Sequence, residues 1–262
     1  MRNGGSDLQR QRYLTAEGNS IHTPVRSSSD CPPCIVYSSG PMNTKEKTYV
    51  PSGNFIPALR FRLLTPIYDT FLRVMMKETQ LKSQLIRQLN PTDNEKILDF
   101  GCGTGTLMLM IKKTRPGCAV FGIDIDSQVL EIAEKKSYRE GMDIHLIKYD
   151  GVSLPFANES FDKVVTSFVL HHLSTEEKFK IFKEIYRVLK KSGELHILDF
   201  GIQRTLYTRL LTSVTKRLEP IEDNISGKIP EYLILSGFEG VQELHSENTL
   251  VGTVSFYRSK KL

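Results

Sequence analysis

The sequence predicts an α/β fold in which a mostly parallel sheet is covered by helices on both faces. Five short apolar stretches alternate with stretches of helical periodicity, a pattern that requires a parallel sheet with right-handed crossover connections. Two further strand-like stretches close the chain and predict an antiparallel hairpin. Hydrophobic residues make up 39% of the 262 residues and charged residues 25%, which are ordinary values for a globular domain with a sizeable core.

The individual elements are predicted from periodicity and from the residues that begin or end helices. Ser174 to Glu177 has the form of a capping box, and Gly237 suits the end of the last helix. Predicted helices cover residues 107–113, 127–138, a stretch after the capping box, 206–218 and 229–235. Predicted strands cover residues 96–100, 119–124, 144–149, 163–168, 194–199, 241–246 and 249–257.

The chain divides into a tail and one domain. Residues 1–47 are rich in Ser, Gly, Pro, Asn and Arg and lack periodicity, so we predict a disordered N-terminal tail. Residues 48–262 form the predicted domain, with a helical lid over residues 48–90 and a core over residues 91–262. Met42 precedes the first globular pattern, and translation that starts there is a further hypothesis.

Charge and cysteine usage limit the partners and the cellular compartment that we expect. The net charge of +5 is spread along the chain, so neither a nucleic acid nor a lipid surface is an expected partner. We expect lysine pairs near helix ends, such as Lys135-Lys136, to be solvated. Cys31-Pro-Pro-Cys34 lacks the further ligands or the strand-helix context of a metal or redox site, so we expect no metal. Without a disulfide framework, a targeting signal or a long apolar run, we expect a cytoplasmic protein with no membrane span.

A glycine-rich turn between the first predicted strand and its helix organises the chain. Gly101, Gly103 and Gly105 occupy alternate positions, where missing side chains allow a sharp reversal and let a ligand approach the backbone. A dinucleotide fingerprint reads G-x-G-x-x-G, whereas the third glycine here falls one position early. This spacing disfavours the binding of a pyrophosphate.

Polar residues at the other strand ends complete the predicted ligand site, because ligands of open parallel sheets bind at the carboxyl edge. Asp124 lies about twenty residues beyond the glycine turn, the separation expected for a carboxylate that binds ribose hydroxyls. We expect this carboxylate to serve the ligand more than the core. Asp150 and the N–H of Gly151 follow the third strand and could recognise an adenine edge, and Ser167 ends the fourth strand. The set indicates an adenosine-containing cofactor.

Several short motifs carry a resemblance to a known family. They are Ile97-Leu98-Asp99-Phe100-Gly101-Cys102-Gly103-Thr104-Gly105, Gly122-Ile123-Asp124, Tyr149-Asp150-Gly151, Leu154-Pro155-Phe156, Phe161-Asp162, Leu170-His171-His172-Leu173 and Gly237-Phe238. With them the sequence resembles the class I S-adenosylmethionine-dependent methyltransferases, in the small-molecule branch that includes ubiquinone and menaquinone biosynthesis methyltransferases. The resemblance implies a Rossmann-like seven-stranded sheet, mostly parallel with one antiparallel strand.

The resemblance also implies S-adenosylmethionine as the cofactor and assigns residues to its parts. Asp99 would lie near the amino group of the methionine part, which rests against the glycine turn. Asp124 would hold the ribose, and Ile125 would pack on the adenine that Asp150 and Gly151 recognise. The implied cofactor-binding residues are Tyr68, Asp99, Gly101, Gly103, Asp124, Ile125, Asp150, Gly151 and Ser167.

The implied reaction is transfer of the sulfonium methyl group to a small acceptor by in-line displacement. Because the methyl group is already activated, alignment and exclusion of water can suffice, and no catalytic residue is assigned. His171 or His172 could serve as a base, with Asp199 as a weaker alternative, although shaping the loop is the commoner role of such residues. The region 167–170 reads Ser-Phe-Val-Leu instead of the Asn/Asp-Pro-Pro-aromatic motif of many amine methyltransferases, which disfavours an amine acceptor.

Apolar residues in the predicted lid and in the insert 203–229 suggest a small apolar acceptor, although ordinary core packing is the more frequent explanation of such residues. Two other functions stay open. One is an NAD-type oxidoreductase, against which the glycine spacing and the terminal hairpin both count. The other is a non-catalytic S-adenosylmethionine-binding module that acts through a protein partner. The apolar residues concerned are Phe55, Phe61, Leu64, Leu210 and Leu211.

Overall fold

A computed structural model of the chain describes residues 77–209 and 221–262, all of which belong to one unit, Gly53–Leu262. The strands in the described residues are β1 (Lys96–Phe100), β2 (Ala119–Asp124), β3 (His145–Lys148), β4 (Phe161–Ser167), β5 (Leu189–Phe200), β6 (Glu239–Thr249) and β7 (Gly252–Lys260). They form one seven-stranded sheet with the order β3-β2-β1-β4-β5-β7-β6.

The directions of the strands confirm the predicted sheet. Strand β1 is parallel to β2 and β4, β2 to β3, and β4 to β5. Only β7 among these seven strands runs against its neighbours, antiparallel to both β5 and β6. Because the chain leaves β1 toward one edge and returns at β4 toward the other, the strand order reverses between β1 and β4, where open α/β sheets form their ligand crevice.

Helices cover both faces of the sheet, as predicted. One face carries α1 (Glu78–Leu89), α2 (Thr106–Thr114) and α3 (Ser127–Glu140), and the other carries α4 (Thr175–Val188) and α6 (Ile229–Leu235). A short helix, α5 (Glu222–Ile225), precedes α6, and a 3-10 turn spans Leu170–His172. Alternate residues of β1 enter the two cores, since Ile97 packs with α1 and α2 whereas Leu98 packs with α4.

The predicted helix boundaries follow from local capping. Ser174 and Glu177 form a reciprocal capping box, in which the Glu177 carboxylate accepts from the Ser174 N–H (2.7 Å) and the Ser174 hydroxyl from the Glu177 N–H (3.3 Å). Gly237 has φ +98° and donates to the carbonyl of Ile234 (3.0 Å), which ends α6 as expected. Of the predicted helix 206–218, residues 206–209 are helical, and residues 210–220 lie outside the described residues.

The turn of the terminal hairpin lies later than predicted. Strand β6 extends to Thr249, and the turn residues are the apolar Leu250 and Val251. Thr249 stabilises this turn, because its hydroxyl donates to the Gly252 carbonyl (2.7 Å) and accepts from the Val251 N–H (3.2 Å). Asn248 falls in the gap between the two predicted strands, but its side chain accepts a hydrogen bond from the Thr253 hydroxyl across the strands (2.8 Å). The prediction was wrong because side-chain bonds, and not turn-forming residue types, close this hairpin.

Helix α1 is part of the sheet core. Leu81, Leu85 and Leu89 are at most 1% exposed and pack in one cluster with Ile97 of β1 and Val165 of β4. The helix falls within the range 48–90 that was predicted as a lid. The rest of that range, residues 48–76, lies outside the described residues, as does the predicted tail. No helix in the two described segments is long and apolar enough to cross a membrane.

Replacement of Leu85 by alanine tests whether α1 is required for the stability of the sheet. The substitution leaves a cavity in a fully buried site, so we expect the free energy of unfolding to fall by about 2–5 kcal/mol in urea denaturation. Leu206→Ala is the control, because Leu206 is 78% exposed and its loss should change stability by no more than about 0.5 kcal/mol. Equal stability of the two variants would contradict the assignment of α1 to the core.

Candidate functional site

The carboxyl ends of β1, β2 and β4 meet at the crevice where the strand order reverses. Asp99 of β1 is in register with Gly122 of β2 and with Val165 of β4. Asp124 and Ser167 end β2 and β4, so their side chains start from the same edge of the sheet as the glycine turn. The structure thereby brings together the strand-end residues that the sequence predicted separately.

Two glycines of the turn are required by packing. Gly101 has φ +70°, and a Cβ added there would lie 2.3 Å from Cγ2 of Val169. Gly105 has φ +73°, and its Cβ would lie 2.9 Å from Cβ of Ala133 on α3. Both contacts are shorter than van der Waals distance, so these positions need glycine for the fold itself. Val169 is a neighbour that sequence analysis did not predict.

Gly103 differs from its two neighbours in the turn. Its φ is +52°, yet no atom of the described residues lies within 4 Å of the position that a Cβ would occupy. Packing therefore does not explain this glycine. The open space above the Gly103 backbone is where a ligand can lie against the turn.

Asp124 fastens the glycine turn to the end of β2. Its Oδ2 accepts a hydrogen bond from the Gly103 N–H (2.8 Å), and its Oδ1 accepts from the Asp126 N–H (3.0 Å). Burial raises the pKa of the Asp124 carboxyl, and the backbone donors oppose that effect. A carboxylate has about four acceptor positions, so these bonds leave capacity for ribose hydroxyls. Asp124 thus holds the turn in place as well.

Asp99 is a buried carboxylate without a partner. The residue is 1% exposed, and neither carboxylate oxygen has a hydrogen bond to any described residue. Burial raises its pKa to about 7, opposed by the positive charge of Lys82 and increased by the negative charge of Asp124. Burial of an unpaired carboxylate lowers the stability of a folded protein. At this position the oxygens fit a cationic group of a ligand that rests on the glycine turn.

A lysine on α3 holds the other side of the turn. The Lys136 ammonium donates to the carbonyl oxygen of Thr104 (3.1 Å) and to its hydroxyl (2.7 Å). The sequence predicted that Lys135-Lys136 would be a solvated pair at a helix end, and this was wrong for Lys136. The side chain folds back because Gly105 lets α3 approach the turn closely.

His171 and Asp199 form a buried pair beside the crevice. The His171 Nδ1 lies 2.8 Å from the Asp199 Oδ1, and the two residues are 6% and 0% exposed. Asp199 also accepts from the N–H groups of Val169 (3.0 Å), Leu170 (2.8 Å) and Phe200 (2.8 Å). Burial alone would raise the pKa of the Asp199 carboxyl, but the His171 charge and these donors together lower it. The sequence named both residues and did not predict that they pair.

This geometry separates the roles of the three candidate bases. Asp199 is committed to orienting the His171 ring and the loop after β4, which fits a positioning residue better than a base. His172 packs on His171 with ring centroids 3.9 Å apart. Desolvation of the ring, followed by the neighbouring His171, lowers the pKa of His172 to about 4, although the residue as a whole remains exposed.

The predicted adenine-recognising residues lie at the same edge of the sheet. Tyr149 follows β3, and its N–H donates to the Asp124 carbonyl (2.8 Å), which brings the next residues beside β2. Asp150 is exposed, and its Oδ1 accepts from the N–H groups of Val152 (2.8 Å) and Ser153 (3.3 Å). Gly151 has φ +81° and, within the described part of the chain, no atom within 4 Å of its Cβ position.

The remaining predicted cofactor residues are Ile125, Ser167 and Tyr68. Ile125 and Ser167 are half-buried at the ends of β2 and β4. Tyr68 lies outside the described residues, as do the cysteine pair and the apolar lid residues named from the sequence. No group of three or more His, Cys, Asp or Glu within residues 77–209 and 221–262 could hold a metal ion.

The loop after β3 is fixed by an ion pair on α4 that sequence analysis missed. Glu184 accepts from the Leu154 N–H (2.8 Å), and Arg187 donates to the carbonyls of Phe156 (2.7 Å) and Leu154 (3.0 Å). Glu184 and Arg187 bond each other as well (2.8 Å). Their three-residue spacing on a helix was the available signal. The pair positions the loop that begins with Asp150 and Gly151.

Comparison with known proteins identifies the domain that contains this site. Residues 97–193 match the protein-family model described as "Methyltransferase domain". The chain is 37% identical over 142 residues to the demethylmenaquinone methyltransferase of Thermus thermophilus, a match that covers 53% of this chain and 64% of that protein. It is 26% identical over 203 residues to the ubiquinone/menaquinone biosynthesis C-methyltransferase UbiE of Geotalea daltonii, with coverage of 74% and 84%.

Solved structures share the fold. An S-adenosylmethionine-dependent methyltransferase from Methanosarcina mazei superimposes with a TM-score of 0.55 at 22% identity and covers 68% of this chain and 97% of its own. The chain spans between 56% and 64% of the length of the first three curated relatives that it matches. Residues 97–193 of this chain are therefore similar to a methyltransferase domain, and the sheet shares the fold of the Methanosarcina mazei enzyme.

Proposed function

We propose that this protein is an S-adenosylmethionine-dependent methyltransferase that acts on a small apolar acceptor. The observation that carries the proposal is the unpartnered, fully buried carboxylate of Asp99 beneath a glycine turn that Asp124 fastens. S-adenosylmethionine presents an ammonium group and a ribose, which are the two groups that Asp99 and Asp124 suit. Similarity to quinone-biosynthesis methyltransferases supports the same function.

The charge at the turn separates this function from that of a dinucleotide-dependent oxidoreductase. A dinucleotide places its pyrophosphate on the glycine turn of such a fold. A buried carboxylate at that point, with Asp124 nearby, repels two phosphate charges and attracts an ammonium. The electrostatics therefore agree with the early third glycine in favouring S-adenosylmethionine over NAD.

The residues of the chain have distinct roles in holding the cofactor. Asp99 receives the amino group of the methionine part, and the open backbone of Gly103 lies under that part. Asp124 accepts from the ribose hydroxyls while it holds the turn. Asp150 and Gly151 recognise the adenine edge. Ile125 contacts the adenine face, and Ser167 lines the crevice. The family resemblance adds Tyr68 as a further cofactor-binding residue.

When bound, S-adenosylmethionine supplies an activated methyl group for transfer to a nucleophile. The protein aligns the acceptor and excludes water, which suffices for a displacement of this kind. Among the described residues, His171 is our candidate for the group that takes up a proton from the acceptor, because the bond between its Nδ1 and Asp199 orients the ring.

The acceptor class is inferred from the relatives and from the sequence. Proteins named for demethylmenaquinone and for ubiquinone or menaquinone biosynthesis share 26–37% identity with this chain, which supports a quinol-type ring as acceptor. The absence of an Asn/Asp-Pro-Pro-aromatic motif at residues 167–170 disfavours amines.

Ligand-dependent thermal unfolding tests the cofactor, and turnover tests the enzyme. S-adenosylhomocysteine at about one hundred times its Kd should stabilise the protein by about 2.7 kcal/mol, and NAD at the same concentration should not. Transfer of a labelled methyl group to a short-chain demethylated menaquinol, followed by mass spectrometry, then separates an enzyme from a non-catalytic binding module. Stabilisation by NAD alone would refute the proposed cofactor.

Replacement of Gly103 by alanine tests contact between the turn and the cofactor. The matched control is Gly141→Ala, since Gly141 ends α3, has φ +62° and, like Gly103, has no described atom within 4 Å of its Cβ position. Both variants should lose about 1 kcal/mol of stability from the positive φ. Only Gly103→Ala should also lose affinity for S-adenosylhomocysteine in calorimetry, by about tenfold or more. Equal affinities would place the cofactor elsewhere.

Asp99→Asn tests whether the Asp99 carboxylate lowers the stability of the ligand-free protein while it contributes to cofactor binding. The pKa of Asp99 rises from 3.8 to about 7 on folding, so this group lowers stability progressively as the pH increases between those values. At pH 8 the ligand-free variant should be more stable than wild type by about 1–3 kcal/mol in urea, and it should bind S-adenosylhomocysteine about 10–100-fold more weakly. The exposed Asp143→Asn should change neither property. A ligand-free Asp99→Asn that is less stable than wild type would contradict the assignment.

A further inference from the structure

Lys82 on α1 is a buried cation that the proposed reaction does not use. It is 7% exposed, and its ammonium lies 2.6 Å from the Glu78 carboxylate one turn earlier on the same helix. A surface pair at this spacing adds only about 0.3–0.5 kcal/mol to a helix, whereas burial of a lysine is costly. The ion pair with Glu78 alone does not account for a lysine in this position.

Lys82 and Asp99 lie on the same face of the sheet. Side chains alternate along a strand, so Asp99 shares the face of Ile97, which packs in one cluster with Leu81 and Leu85 of α1. At the other end of α1, Gln88 contacts His196 of β5 (3.1 Å), and the Asn90 carbonyl accepts from Lys163 near the start of β4 (3.0 Å). The N-terminus of the helix therefore points toward the carboxyl edge, and Lys82 lies about 9 Å from Gln88 along the helix axis in that direction.

Among the described residues, one positive charge acts on Asp99. The charged and titratable groups that interact with it are Lys82 from α1, Cys102 from the glycine turn and Asp124 from the end of β2, and Lys82 is itself paired with Glu78. Lys82 favours the ionised form of Asp99, and Asp124 disfavours it. Cys102 is a buried thiol whose pKa is raised by burial, with Asp99 and Asp124 adding to the effect, so it stays neutral.

We propose that Lys82 is a positioning residue for cofactor binding, whose buried ammonium favours the ionised form of Asp99 that receives the amino group of the cofactor. This rests on the proposed function. Because Lys82 makes no direct hydrogen bond to either oxygen of Asp99, both oxygens remain available to the ligand. The lysine acts through the field inside the protein and does not compete for the contact. Helix α1 thereby contributes to the cofactor site without touching the cofactor.

The pH dependence of affinity measures this role. In wild type, affinity for S-adenosylhomocysteine by calorimetry should increase between pH 6 and pH 8 as Asp99 ionises. Lys82→Met should shift this increase upward by about one pH unit or more and weaken binding about tenfold at pH 7. Lys82→Arg should restore the wild-type profile. The control is Lys113→Met, which removes an exposed cation paired with Glu140 on the same face of the sheet, and should bind as wild type does. A wild-type profile for Lys82→Met would overturn the proposal.

A second measurement needs no cofactor, so its outcome is independent of the proposed function. Urea denaturation of the ligand-free protein should show that Lys82→Met destabilises more at pH 8, where Asp99 is charged, than at pH 5. In the Asp99→Asn background this difference should vanish. If Lys82→Met folds only in the Asp99→Asn background, the result would support the proposal, because the unpaired Asp99 carboxylate would then be the cause of the destabilisation. Equal destabilisation at both pH values, or failure to fold in both backgrounds, would overturn it. If wild type does not bind S-adenosylhomocysteine, only the proposed function fails.

Discussion

The reversal of strand order between β1 and β4 is the constraint on which the site depends. The connections that follow β1 and β4 leave the sheet in opposite directions at this point, where open α/β sheets form a ligand crevice. Three contacts then determine the shape of the crevice. Asp124 binds the glycine turn to β2, Val169 packs against Gly101, and Asp199 binds His171 in the loop after β4. Each contact joins two strand ends that are adjacent only because of the strand order.

The site is built at a cost in stability. Asp99 is buried without a hydrogen-bond partner in the described structure, and Phe168, directly after β4, has φ +58°, a conformation that is unfavourable for a bulky residue. Strain and unpaired charge of this kind are concentrated where a ligand compensates them. The large cores on the two faces of the sheet supply the stability that permits this. Binding of a cation at Asp99 would therefore stabilise the protein as well as position the ligand.

Much of the fold and of the site followed from local signals in the sequence. The strand series, the capping box at Ser174 and the glycine turn were predicted because each depends on a few neighbouring residues. Predictions failed where a distant partner decided the outcome. Lys136 read as a solvated helix-end lysine, but Thr104, far away in sequence, binds it. The hairpin turn was misplaced because Thr249 closes a turn whose own residues are apolar.

The sequence by itself determined the fold class, the position of the ligand site at the strand ends and the residue types available there, because period, capping and turn chemistry are local properties. Tertiary structure alone decided which of those residues are paired and which are not. Asp199 and Asp99 are both fully buried carboxylates at strand ends, yet one accepts bonds from His171 and three N–H groups and the other from no described residue. Because both are buried, that difference depends on partners such as His171 that are remote in sequence. It separates a carboxylate that supports the fold from one whose oxygens accept from no described residue.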